Sequence, residues 1–144
     1  MKLRRTIGPQ SAPNLTEFAE RALGWELEPK QLELLSGPGK RVILNCTRQW
    51  GKSWMASVAL LFHAVNYPNS IALVAGPTLR QGAELLRKVQ NIAHSLGLAT
   101  KGDGINRHSL VLSNRARIVA VPGNSPDTIR GFSEIGRASC RERV

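Results

Sequence analysis

The segment Cys46-Thr47-Arg48-Gln49-Trp50-Gly51-Lys52-Ser53 restricts the possible folds of this chain more than any other. It has the length of the phosphate-cradling pattern GxxxxGK(S/T), with Cys46 at the position of the first glycine. An apolar run at 41–46 (RVILNC) enters it and reads as a short buried strand. An amphipathic pattern from about 51 to 66, carrying Met55, Val58, Ala59, Leu61 and Phe62, leaves it as a helix. Such a turn lets successive backbone N–H groups and the positive end of the helix face an anion. Gly51 allows close backbone approach. Lys52 is placed to reach phosphate oxygens and Ser53 to offer its hydroxyl to a magnesium ion. The plain alternative is a turn glycine, a solvated lysine and a capping serine, which leaves the strand–loop–helix context unexplained.

The rest of the chain supports α/β layering. Helices are expected over Leu15–Leu23, capped by Asn14 and stopped at Gly24, and over 29–35, opened by Pro29. A loop follows at 36–39 (SGPG). Ile71–Gly76 (IALVAG) reads as a second buried strand and 79–96 as a long helix ending at Gly97. Residues 110–112 and 117–121 read as a hairpin about Ser113-Asn114-Arg115. Alternation of strand and helix implies a mainly parallel sheet flanked by helices. Residues 1–14 contain Gly8, Pro9 and Pro13 without apolar periodicity and are expected to form a loose arm.

Composition narrows the partners. Twenty Lys and Arg against ten Asp and Glu give a formal charge of +10. This favours polyanions such as nucleic acid or nucleotide phosphates, or is simply a solvated basic surface. No apolar stretch is long enough to span a bilayer, so no membrane partner is expected. Cys46 and Cys140 form no zinc or disulfide pattern, which makes a reducing cytoplasm the default compartment. His63, His94 and His108 show no ligand spacing.

The loop Thr47-Arg48-Gln49-Trp50-Gly51-Lys52-Ser53 resembles that of the large terminase subunits of tailed phages, which also lack the first glycine. Gly76-Pro77-Thr78-Leu79-Arg80-Gln81, Val121-Pro122-Gly123 and Ile129-Arg130-Gly131-Phe132 look like further segments of that family. Pro29-Lys30-Gln31 resembles its adenine-contacting element, with Lys30 in place of an aromatic residue. The resemblance covers roughly residues 17–133 and implies an incomplete P-loop NTPase domain at 15–133. It implies ATP and Mg²⁺ as cofactors, with Gln31, Thr47, Arg48, Gln49, Trp50, Gly51, Lys52 and Ser53 around the nucleotide and Ser53 on the metal. Lys52 and Arg48 are the candidate catalytic residues. Arg48 acts as an arginine finger, only binds ground-state phosphate or is a surface arginine, and Gln31 meets the adenine edge or is a solvated helix residue.

The resemblance further implies double-stranded DNA as substrate, a portal protein and a small terminase subunit as partners, a homo-oligomeric full-length protein, and action in the host cytoplasm at the procapsid portal. A C-terminal nuclease domain also belongs to such enzymes. Arg80, Arg87 and Lys88 could meet DNA phosphates, though a solvated helix face is the plainer account. Trp50 and Trp54 are expected to pack against the sheet rather than on a base. The family's paired acidic strand end, which holds Mg²⁺ and orients the attacking water, is expected shortly after Ser133 and is not found. Residues 134–144 read instead like a translated sequencing-library adapter, the alternative being a natural basic tail. These 144 residues are therefore expected to bind nucleotide without turning it over. A helicase-like translocase and a basic nucleic-acid-binding module with a degenerate loop are the rival readings.

Overall fold

The computed structural model describes residues 15–36, 43–45, 47, 49–102, 108–124 and 138–140. The arm at 1–14, the loop at 37–40 and Ile129-Arg130-Gly131-Phe132 lie outside them. Among the described residues are four helices: α1 (Leu15–Leu23), α2 (Pro29–Ser36), α3 (Lys52–Asn66) and α4 (Leu79–Ser95). Five strands accompany them: β1 (Ile71–Gly76), β2 (Thr100–Lys101), β3 (Ser109–Leu112), β4 (Arg117–Pro122) and β5 (Ala138–Cys140). They form one mixed sheet in the order β2-β3-β4-β1-β5. β1 runs parallel to β4 and to β5, while β3 is antiparallel to β2 and β4.

Local signals set the helix ends. Gly24 adopts φ 74 and returns its N–H to the Glu20 carbonyl, ending α1. Thr78 caps α4 by accepting the Gln81 N–H at 3.3 Å. Past its other end Gly97 takes φ 73, with Leu98 N–H on Ala93 O and Gly97 N–H on His94 O. This pair of bonds is the glycine stop known as the Schellman motif.

The core follows from periodicity. Leu85, Leu86, Val89, Ile92 and Ala93 of α4 are buried with Met55, Val58 and Leu61 of α3, and Phe18 of α1 meets Phe62 edge-on at 5.3 Å. On the sheet, Ala72, Val74, Ile118 and Ala120 join this cluster. Leu73, Val119 and Val121 point to the other face and are buried as well. Burial on both faces is why IALVAG and RIVAVP are continuous apolar runs instead of alternating ones.

The β3–β4 hairpin also braces α3. Its three-residue loop ends on Arg115 at φ 67. Asn114 donates from Nδ2 to the carbonyls of Ala64 and Val65, 2.8 and 3.2 Å away, while its Oδ1 accepts the Ala116 N–H. One side chain thus satisfies carbonyls near the end of α3 and shapes the turn. Asn114→Ala is expected to destabilise the fold by about 1–2 kcal/mol, read as a lower urea midpoint with unchanged slope.

One expected strand is corrected. Residues 43–45 of the apolar run lie outside any strand, and Ile43 is 93% exposed. Residues 43–45 pair with none of the strands of the described sheet, in which β4 and β5 flank β1. Apolar composition alone does not make a strand without a ladder to join. β2 was not foreseen; its two residues are too short to carry a pattern. β5 lies within the segment that the sequence reading set apart from the fold.

Candidate functional site

The glycine of the loop takes the conformation its role requires. Gly51 sits at φ 91, ψ 24, immediately before the first residue of α3. Any side chain there is strained, because a Cβ in the left-handed region crowds the backbone. A Cβ would also lie 3.3 Å from Nε2 of Gln31. Gly51 has no side chain with which to cap α3, in contrast to Thr78 before α4. The first turn of an uncapped helix presents N–H groups and partial positive charge to whatever anion stands before it.

Gln31 braces this turn from a distance of nineteen residues. Its Nε2 donates to the Trp50 carbonyl at 2.9 Å, and its Oε1 accepts the Glu28 N–H at 3.0 Å. The side chain is buried, at 6% exposure, so Gln31 is not a solvated helix residue. One amide hydrogen and one lone pair remain beyond these two bonds. Burial leaves little of them to a ligand, and the observed work of Gln31 is to tie α2 to the loop.

The other candidates divide. Thr47 and Gln49 are exposed, and the Trp50 N–H turns back to the Thr47 carbonyl at 3.4 Å. Lys52 and Ser53 occupy the first turn of α3, half-buried. The Ser53 carbonyl accepts the hydroxyl of fully buried Ser57 at 2.6 Å, which fixes that turn to the core. Cys46, Arg48 and Arg130 lie outside the described residues. Trp50 and Trp54 are half-buried and pack against the main core. Arg80 and Gln81 are exposed in the first turn of α4. Close by, Gly123 donates to the Gly76 carbonyl at 2.7 Å, and a Cβ on Gly123 would lie 3.0 Å from the same oxygen. The segments 76–81 and 121–123 thus meet where β1 and β4 end.

Sequence reasoning passed over Trp25. It follows the glycine that ends α1 and is 45% exposed. Its ring meets that of Trp54 edge-on, with centroids 6.1 Å apart at 88°. Lys88 of α4 places its ammonium 5.2 Å from the Trp54 centroid. Spacing gave one available signal: a tryptophan directly after a helix-stopping glycine and six residues before Gln31.

Among the described residues no group of three or more His, Cys, Asp or Glu is placed to hold a metal, and no helix is long and apolar enough to cross a membrane. Were Mg²⁺ to arrive with nucleotide phosphates, as an ion that keeps several waters does, the Ser53 hydroxyl at the start of α3 would be a protein oxygen available to it.

No family model and no curated protein matches this chain. Among solved structures, the chain is similar to the large terminase ATPase domain of Thermus phage P74-26, with a TM-score of 0.62 and 22% identity over 79% of this chain and 53% of that one. A mutant of the same domain matches with a TM-score of 0.60 and 22% identity, over 76% of this chain and 51% of that one. The chain thus has the α/β fold of a terminase ATPase domain and spans about half the length of the solved domain.

Proposed function

We propose that this chain binds Mg²⁺-ATP at the Thr47–Ser53 turn, as part of a large terminase subunit that couples ATP hydrolysis to moving double-stranded DNA into a procapsid. The observation that carries the reading is the left-handed Gly51 before an uncapped α3, braced by Gln31 and followed directly by Lys52 and Ser53. The terminase ATPase fold gives that turn its context. Lys52 supplies the positive charge for the terminal phosphates, Ser53 a hydroxyl for Mg²⁺, and Arg48 a second cation beside the transferred group. Thr47 and Gln49 contribute backbone N–H groups to the cup, and Trp50 closes its turn through the Thr47 carbonyl. On this reading the full protein is a homo-oligomer that docks on a portal, works with a small terminase subunit, and acts in the host cytoplasm.

Hydrolysis asks for an acidic group to hold the metal shell and orient water. The described ends of β1 and β4 carry Pro77-Thr78 and Gly123-Asn124 instead of carboxylates. Calorimetric titration of the 144-residue chain with ATP is expected to give saturable binding that chelation of Mg²⁺ weakens, without phosphate release. Absence of binding with Mg²⁺ present overturns the nucleotide reading; steady phosphate release overturns the expectation that turnover is missing.

A further inference from the structure

We infer that Trp25, rather than Gln31, is the residue that contacts the nucleotide base, by stacking on it. The inference deepens the proposed nucleotide site and rests on it.

The sequence nominates Gln31 for the base, and the structure gives its amide other work. Nε2 is bonded to the Trp50 carbonyl, Oε1 to the Glu28 N–H, and the side chain is 6% exposed. Lys30, beside it, is exposed and lies 4.0 Å from Glu33 across one helical turn. Neither residue presents a flat apolar surface.

Trp25 does. The chain reverses at Gly24, which only a residue tolerant of φ 74 allows without strain, and Leu27, 4% exposed, anchors the following segment. Between these two fixed points Trp25 is held out of the core. Its edge-to-face contact with Trp54 covers at most one face of the indole, consistent with 45% exposure. Trp54 is the third residue of α3, so the pair stands beside the helix turn that Gly51 opens. Lys88 against the Trp54 ring fixes the partner from the other element. An exposed, braced aromatic ring near an uncapped phosphate turn suits a purine, which stacks through its π-face regardless of its hydrogen-bonding edge. Recognition by stacking alone implies weak discrimination between adenine and guanine.

The test compares two probes on the full chain with Mg²⁺, ATP and inorganic tripolyphosphate, by titration calorimetry. Both are expected to bind the wild type. Trp25→Ala is expected to weaken ATP by about tenfold and leave tripolyphosphate unchanged, since base stacking is lost and the phosphate cup is not. Trp25→Phe keeps a ring and is expected to retain most of the ATP affinity. Unchanged ATP binding in Trp25→Ala overturns the base contact while leaving the nucleotide reading intact. Equal weakening of both probes overturns it too, because Trp25 then only supports the loop. If the wild type binds neither probe, the nucleotide site falls and the base contact with it.

Discussion

Lys52→Ala is expected to lower the affinity of the chain for Mg²⁺-ATP by roughly a hundredfold. A charge-assisted hydrogen bond contributes about 1.5–3 kcal/mol, and an ammonium at this position serves two phosphates at once. Lys52 is the first residue of α3, where the helix end already carries partial positive charge, so a cation there adds to the attraction for an anion. Lys52→Arg keeps the charge but replaces a compact ammonium by a planar fork, and should recover only part of the affinity. ATP affinity within twofold of wild type in Lys52→Ala would remove the phosphate cup from consideration.

The elements that could be read in advance were those whose signals are local. β1 has the predicted bounds, α4 stops one residue earlier than expected, and Gly24 and Gly97 end their helices through positive φ, a property written in the residue type. The hairpin was visible for the same reason, but the use of Asn114 to cap α3 was not, since it joins positions fifty residues apart. Residues 43–45 of the apolar run form no strand, because strand formation depends on a neighbour, and β1 pairs with Ala138–Cys140. That partner has no apolar alternation to announce it. The site divides in the same way. The glycine turn at Gly51 and the helix that starts at Lys52 were legible from spacing alone. The Gln31–Trp50 bond and the Trp25–Trp54 contact are tertiary and appear only once α1 and α2 are folded back on α3.

The same dependence on tertiary context reverses an ordinary rule at Gly82. In the interior of an exposed helix, glycine to alanine stabilises by about 1 kcal/mol. Gly82 lies in the first turns of α4, but it is buried, and a Cβ there would come within 2.9 Å of the Ala120 Cβ and 3.7 Å of its Cα. Ala120 is 2% exposed in the middle of β4, in register with Val74. Neither atom can rotate away, because a Cβ moves only with its backbone. Relief therefore requires α4 to lift off the sheet, and with it the core contacts of Leu85, Leu86 and Val89. Overpacking of this kind costs about 1–3 kcal/mol, which exceeds the propensity gain. Gly82→Ala is expected to destabilise by about 1 kcal/mol net. Gly82→Val, with two further methyl groups and a β-branch in the helix, should cost about 3 kcal/mol and lower the thermal midpoint by roughly 10 °C. The compensating change gives the decisive comparison. In an Ala120→Gly background the opposing Cβ is gone, so Gly82→Ala should become neutral or stabilising, a coupling of at least about 1 kcal/mol between the two positions. If Gly82→Ala raises the midpoint in the wild-type background, the close seating of α4 on β4 is wrong. The placement of Thr78, Arg80 and Gln81 at the end of β1 would then have to be redrawn.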